Sequence, residues 1–78
     1  MKETDLSLLR EGQRATVTGI EEEGAMGRRL RDMGLVRGTA VRCLYDSPLG
    51  DPAAYLIRGA VVALRRADSR RVRVRPLL

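Results

Sequence analysis

The sequence predicts a mainly β domain, a small and partly open barrel of five short strands with one short helix inserted after the first strand. Three observations predict this fold. Apolar and polar residues alternate along several stretches, as they do in half-buried strands. One stretch repeats its apolar residues at helical spacing instead. The length of 78 residues leaves room for one core, so we expect a single domain over residues 1–78.

The predicted strands are bounded by glycine, proline and polar residues, which favour turns. We place them at residues 13–20, 39–45, 53–58, 60–65 and 71–75. The third and fourth strands are separated by Gly59 alone, which predicts a hairpin. Residues 46–52 contain two prolines and a glycine and are therefore predicted to be a loop. Residues 66–70 are expected to form a polar bend.

One helix is predicted over residues 24–33, where apolar residues recur at i, i+4 and i+7. These apolar residues are Met26, Leu30 and Met33. Three glutamates at residues 21–23 precede the helix, at the positive end of its dipole. Gly34 follows at a position where a left-handed residue ends a helix, and Leu35 is placed to fold back onto the last turn.

The order of these elements favours an SH3-like barrel. Curling a small sheet on itself removes most of the exposed strand edges that would otherwise pair with other chains. The OB-fold is the nearest alternative, because it also combines five strands with a helix. Its helix usually lies between the third and fourth strands, whereas the helix predicted here follows the first.

The charge of the chain is strongly basic. The net charge is +5, and six of the fourteen arginines fall between Arg65 and Arg75. Clustered arginines are typical of nucleic-acid binding but also of the solvated face of a strand, and we favour the second interpretation. The longest apolar runs have five residues, far fewer than the about 20 that span a bilayer. No secretory signal is indicated either, so we expect a cytoplasmic protein.

Residues that would support catalysis or metal binding are scarce. The chain contains no histidine, and we expect its one cysteine, Cys43, to be buried rather than reactive. The glutamates at residues 21–23 could hold a hard cation, but adjacent side chains point in different directions. Neither a G-x-G-x-x-G sequence nor a P-loop occurs. We therefore expect no enzymatic activity, no cofactor and no metal site.

The number of aromatic residues and the direction of their side chains indicate whether the chain binds nucleic acid. Small barrels often bind single strands by stacking bases on aromatic side chains. The chain has only Tyr45 and Tyr55, and alternation places both on the inner face. Contacts to phosphates alone are weak and fall steeply with salt. We expect no specific nucleic-acid partner, although a basic barrel that binds nucleic acid weakly stays open as an alternative function.

Three segments resemble the ferrous-iron transport protein A (FeoA) family in their order and spacing. They are R-L-R-D-M-G-L-V-R-G-T at residues 29–39, S-P-L-G-D-P at residues 47–52 and A-L-R-R at residues 63–66. The family pattern is an R-L-x-x-M-G-L-x-P-G segment, a P-L-G-D-P loop and an A-L-R strand. Arg37 stands where the family commonly has proline, which would restrict φ in a turn.

The resemblance implies an SH3-like barrel that serves iron transport. Members of the family are cytoplasmic accessories of FeoB, a membrane transporter of ferrous iron with a soluble G-protein-like part. The implied partner is the cytosolic G domain of a FeoB-like transporter, and the membrane is reached only through that partner. Binding would either assemble the transporter or adjust its nucleotide cycle. The same domain also occurs behind metal-dependent repressors, which leaves a repressor domain as a further alternative.

A surplus of apolar residues in the predicted hairpin indicates a contact surface. If one face of each strand packs on the core, Leu56 and Val61 must point outward on paired strands. The loop at residues 46–52 adds Leu49, and binding residues often gather on such loops. We therefore predict a partner-binding patch of Leu49, Leu56 and Val61, with Arg58 as its polar rim.

Titration of the purified protein with Fe²⁺ or Zn²⁺ is expected to reveal no site tighter than the micromolar range. The reason is the supply of ligands, since the chain has no histidine and a single cysteine that is predicted to face inward. Isothermal titration calorimetry measures this directly. Stoichiometric binding of iron in the submicromolar range would contradict the interpretation.

Overall fold

The computed structural model describes residues 3–22, 24–46 and 51–77, which form six strands and two helices. The strands are β1 (Thr4–Asp5), β2 (Arg14–Ile20), β3 (Ala40–Asp46), β4 (Ala53–Ile57), β5 (Ala60–Leu64) and β6 (Val72–Pro76). The helices are α1 (Gly24–Asp32) and α2 (Arg66–Ser69), and a single 3-10 turn covers Leu6–Leu8.

The strands form one antiparallel sheet in the order β1, β6, β2, β3, β4 and β5. β6 lies between β1 and β2, so Thr4 pairs with Val74 although they are far apart in sequence. In the described part of the chain, β1 and β5 each have a single neighbouring strand. The sheet is therefore open and does not close into a barrel.

The mainly β class and a helix after the first long strand are confirmed. Two short elements add to the predicted set. β1 makes a sixth strand, and α2 forms a helical turn within the predicted polar bend. The backbone N–H of Arg66 at the start of α2 donates to Oδ1 of Asp51 at 3.0 Å. This carboxylate satisfies one of the donors that a helix start leaves without an intrahelical partner.

The core lies on the inner face of the sheet and includes Cys43 and Tyr55, which were both predicted to face inward. It consists of Leu6, Leu9, Ala15, Val17, Leu30, Leu35, Val41, Cys43, Ala53, Tyr55, Ile57, Leu64, Val72 and Val74. Burying one such aliphatic side chain fully stabilises the fold by about 1.5–3 kcal/mol. The hydroxyl of Tyr55 donates to the carbonyl oxygen of Leu6 at 3.3 Å, which ties the 3-10 turn to β4. The predicted burial of Cys43 is confirmed.

α1 joins the core through one face and ends where the sequence predicts. Leu30 is buried, and Met26 and Met33 pack partly against the core. Gly34 has φ of +105°, and the N–H of Leu35 donates to the carbonyl oxygen of Leu30 at 3.2 Å. Leu35 is fully buried. The helix therefore ends with a left-handed glycine followed by an apolar residue that folds back, as predicted.

A β-bulge in β3 changes the direction of its last side chains. Cys43 pairs with Tyr55, but the next pair joins Tyr45 to Ala54 and leaves Leu44 as an extra residue. The extra residue shifts the alternation by one, so Tyr45 is 55% exposed. The prediction that both tyrosines face inward is wrong for Tyr45 and confirmed for Tyr55.

The hairpin predicted between β4 and β5 is confirmed. Its turn consists of Arg58 and Gly59, with φ of +52° and +82°. A type I′ turn requires positive φ at both of its central residues. The pairing of β4 with β5 continues from the turn to Ala53 and Leu64 without a shift in register. The turn therefore determines which residues of β5 lie opposite those of β4.

Gly34 lies against this turn as well as at the end of α1. A Cβ atom on Gly34 would lie 2.7 Å from Cδ of Arg58 and 3.3 Å from Cγ2 of Ile57. Both distances are shorter than the about 3.5–4.0 Å of favourable carbon contact. The absence of a side chain at Gly34 therefore allows the end of the helix and the hairpin turn to meet.

Replacing Gly34→Ala is expected to lower the free energy of unfolding by about 2 kcal/mol. The variant would combine left-handed strain with a close contact to Arg58. Gly38→Ala is the matched control, because Gly38 has φ of +92° but no atom within 4 Å of its Cβ position. The control should lose only about 1 kcal/mol. Urea denaturation measures both, and equal losses would show that the contact with Arg58 is unimportant.

Candidate protein-binding surface

The predicted contact residues described by the structure lie on the hairpin of β4 and β5. Leu56 and Val61 are directly opposite each other on its outer face, away from the core. Val61 is 66% exposed and Leu56 is half-buried. Arg58 is exposed in the turn. Leu49 lies outside the described residues.

Two rows of cross-strand neighbours build this outer face. The first row is Arg42, Leu56 and Val61, and the second is Tyr45, Ala54 and Ala63, of which Ala54 is buried. Directly opposite residues of antiparallel strands have Cβ atoms about 5 Å apart, so each row is a line of contacting side chains. We call these six residues the hairpin face. It presents an exposed aromatic ring and an exposed valine on one surface.

Tyr45 is the residue of the hairpin face that alternation in the sequence places on the inner face of the sheet. Strict alternation after Cys43 would place it in the core, and the bulge at Leu44 turns it outward. Bulges arise from the pairing of two strands and have no reliable signature in one strand. Aromatic residues are enriched among the energetically dominant residues of protein interfaces, so an exposed Tyr45 suits a candidate contact surface.

The stem of Arg58 lies at the end of α1, near the inward-facing Ile57. It packs against Gly34, and a long side chain with a packed stem keeps its charged end in water. Arg42 adds a second positive charge within the first row. The surface therefore combines apolar residues with exposed cationic ones, as protein interfaces with an apolar centre and a polar rim do.

Some of the clustered arginines near the end of the chain are paired with acids. Nη1 of Arg71 lies 2.6 Å from Oε2 of Glu22. Nε of Arg73 lies 3.5 Å from Oε2 of Glu21 and 3.8 Å from Oε1 of Glu3. These partly exposed pairs contribute at most about 1 kcal/mol each to stability. They nevertheless interrupt the cationic stripe that the sequence suggests.

A cavity of about 300 Å³ opens between β2 and the connection from α1 to β3. Its lining is Thr18, Gly19, Ile20, Arg31, Leu35, Val36 and Arg37.

The register of β2 with β6 shifts between Val17 and Gly19, so Thr18 is the extra residue of a second bulge. Its hydroxyl is buried and has no hydrogen-bond partner among the described residues. Such a hydroxyl costs about 1–3 kcal/mol.

Two further findings concern metals and membranes. Across residues 3–22, 24–46 and 51–77, no three His, Cys, Asp or Glu side chains are grouped so that they could hold a metal ion. The helices in these ranges are too short and too polar to cross a membrane.

An open antiparallel sheet of six strands with two short helices defines a small, mainly β domain. Residues 4–76 match the FeoA domain family. The chain therefore belongs to the FeoA domain family, as the three sequence segments indicated.

A curated relative links the domain to a transporter. The Fe(2+) transport protein A/Fe(2+) transporter FeoB fusion protein of Porphyromonas gingivalis is 35% identical over 69 residues. The match covers 88% of this chain. It covers only 8% of the fusion protein, so this chain corresponds to a small part of that relative's length.

Solved structures share the whole fold. A FeoA-like protein from Clostridium acetobutylicum has a TM-score of 0.91 and 33% identity, covering 100% of this chain and 91% of that one. FeoA of Stenotrophomonas maltophilia, solved with zinc, has a TM-score of 0.82 and 32% identity, covering 91% and 88%. It is described as a procaryotic SH3 domain protein, which confirms the predicted SH3-like class. A manganese-dependent transcriptional repressor is 22% identical, with a TM-score of 0.87 and coverage of 99% and 42%, and shows the fold alone.

Replacing Thr18→Val is expected to raise the free energy of unfolding by about 1 kcal/mol. The substitution keeps the branched shape and removes the buried hydroxyl that lacks a partner. Thr16→Val on the same strand is the control, because Thr16 is also half-buried but its hydroxyl is not a buried group without a partner. It should change stability by less than about 0.5 kcal/mol. Urea denaturation compares the two. A loss of stability in Thr18→Val would show that the hydroxyl is satisfied.

Proposed function

We propose that this protein is an accessory of ferrous-iron transport that binds a FeoB-like transporter through protein contact. The observation that carries the proposal is the fusion relative, in which Fe(2+) transport protein A and the FeoB transporter are parts of one polypeptide. A covalent link keeps two domains at a high effective concentration, where even a weak contact forms. A domain that binds the transporter through protein contact needs an exposed contact surface.

The hairpin face offers such a surface. Val61 and Tyr45 are 66% and 55% exposed on a face that also carries Leu56. Binding energy at protein interfaces is concentrated in a few aromatic, arginine and well-packed apolar residues. Arg58 provides the rim, and Leu49 stays in the proposed patch on the basis of the sequence.

The proposed partner is the cytosolic G domain of the transporter, which also places this protein in the cytoplasm. Its contribution is binding rather than chemistry, since the chain has no histidine and its single cysteine, Cys43, is buried. The contact either assembles the transporter or adjusts its nucleotide cycle. The Stenotrophomonas maltophilia relative has been proposed as a ferrous iron transport activating factor, which supports a regulatory contact.

A nucleic-acid partner has less support than a protein partner. Arg71 and Arg73 are paired with glutamates and so contribute less positive charge to a phosphate-binding surface. Stacking platforms use several aromatic side chains along a groove, and Tyr45 is the only exposed aromatic residue of the two in the chain.

Replacing Val61→Glu is expected to weaken binding to the isolated cytosolic domain of a FeoB-like transporter at least about tenfold, which is about 1.4 kcal/mol. A charge would then occupy the apolar centre of the hairpin face. Val61 is 66% exposed, so the thermal midpoint should change little. Leu56→Glu should weaken binding similarly. Biolayer interferometry with the immobilised cytosolic domain measures both affinities.

The matched control is Leu8→Glu, because Leu8 is 63% exposed and lies on the 3-10 turn instead of the hairpin. Its affinity should equal that of the unmodified protein. An equal loss in the control would show that added charge, and not the hairpin face, weakens binding. Unfolding of Leu56→Glu would place Leu56 in the core. Absence of binding by the unmodified protein would refute the proposed partner.

A further inference from the structure

β5 leaves one edge of the sheet open. It is the last strand in the order of the sheet and pairs with β4 alone in the part of the chain that the structure describes. Three of its five residues, Ala60, Val61 and Ala63, are exposed. Beyond the pairing with β4, no backbone hydrogen bond connects β5 to another described residue. Among the described residues, this edge of β5 therefore has no backbone partner.

The register shows which backbone groups face this edge. In a hairpin with a two-residue turn, the residues that flank the turn exchange both hydrogen bonds, and the pattern repeats every second residue. The flanking pair is Ile57 and Ala60. The N–H and C=O groups of Val61 and Ala63 therefore point away from β4. Together they provide two donors and two acceptors for an additional strand.

The edge lacks the features that usually prevent such pairing. Natural sheets protect their edges with charged side chains, prolines or bulges. Every residue of Ala60–Leu64 is alanine, valine or leucine, and its pairing with β4 has no register shift. A regular strand of this composition is a template for strand addition.

We propose that β5 accepts an extended segment of the partner protein as a seventh strand, and that this segment carries carboxylates near both of its ends. The proposal rests on the proposed function, because the added strand would extend the hairpin face. Main-chain hydrogen bonds to Val61 and Ala63 would provide affinity. Side chains of the added strand on the outer face would pack beside those of the same two residues.

The arginines that flank β5 favour an added strand with acidic residues. Arg58 lies just before β5, and Arg65 and Arg66 follow it directly, so arginines flank both ends of the strand. Asp51 lies at the second end, where its Oδ1 accepts from the backbone N–H of Arg66 at 3.0 Å. Asp68 in the first turn of α2 is a second acid near this end, and Arg65 is the arginine directly next to the last residue of β5. Carboxylates at the ends of the added strand would complement both ends of β5.

A second copy of this chain is a poorer occupant of the edge. If two β5 strands pair antiparallel with Val62 opposite Val62 of the second copy, the turn with Arg58 lies at the same end as Arg65 and Arg66 of the second copy. Symmetry then repeats this proximity at the other end of the pair. Like charges brought together across an interface disfavour it. The flanking arginines therefore oppose self-association and favour an acidic strand.

The first test uses a synthetic peptide, EVTVTVE with blocked ends, and amide hydrogen exchange of the unmodified protein measured by NMR. At saturating peptide, exchange at Val61 and Ala63 should slow at least about fivefold. Exchange at Val62, which already bonds to β4, should change less than about twofold. The peptide KVTVTVK should bind at least about fivefold more weakly. Unchanged exchange at Val61 and Ala63 would overturn the proposal.

The second test uses the cytosolic domain of a FeoB-like transporter. Ala63→Pro removes an N–H that faces the open edge, whereas Ala63→Val keeps it. The proline variant should lose at least about tenfold in affinity and the valine variant less than about twofold. A proline variant that binds normally would overturn strand addition by the transporter. If the proline variant does not fold, amide exchange of the unmodified protein is measured with and without the cytosolic domain. Slower exchange at Val61 and Ala63 on adding the domain would support strand addition, and unchanged exchange would overturn it.

The two tests separate this inference from the proposed function. If Val61→Glu weakens binding to the cytosolic domain while Ala63→Pro does not, the proposed function stands and strand addition is wrong. If EVTVTVE protects the edge but the cytosolic domain does not bind, strand addition is supported and the proposed partner is wrong. Concentration-dependent dimerisation with protection of the same amides would overturn the proposal in favour of a second copy.

Discussion

The packing of Tyr55 is the contact on which the rest of this structure depends. Its side chain is 1% exposed on the inner face of β4, and its pairing partners on the flanking strands are Cys43 and Val62. Its hydroxyl donates to the carbonyl oxygen of Leu6, so one residue positions both β4 and the N-terminal turn. Because side chains alternate along a strand, an inward Tyr55 requires an outward Leu56. The hairpin face follows from the way the core is packed.

The meeting of Gly34 with Arg58 connects the helix to this face. The segment at residues 29–39, which carries much of the family resemblance, supplies the core residues Leu30 and Leu35 as well as the glycine between them. Gly34 ends α1 and leaves space for the stem of Arg58. A turn held in this way loses less freedom on binding, which lowers the entropic cost of forming an interface.

The positions of the arginines in the fold say more about a binding partner than the net charge of the chain does. A net charge of +5 in 78 residues would suit nucleic acid as well as an acidic protein. In the folded chain, Arg71 and Arg73 are engaged with glutamates, while Arg58 and Arg65 flank an apolar strand edge. Charges that bracket exposed apolar groups direct a protein contact and determine its register, because they favour one pairing and oppose others.

The sequence by itself determined every feature that depends on local patterns. Helical spacing and a terminal glycine located α1 and its left-handed end, and period-two alternation located the long strands and the hairpin that carries Leu56 and Val61. β1 and α2 were missed because two to four residues are too few to show a period. Only the tertiary structure decided the bulges at Thr18 and Leu44, the outward position of Tyr45 and the open edge at β5. These features depend on which strands are neighbours and on how their residues pair, and a single strand read alone contains neither.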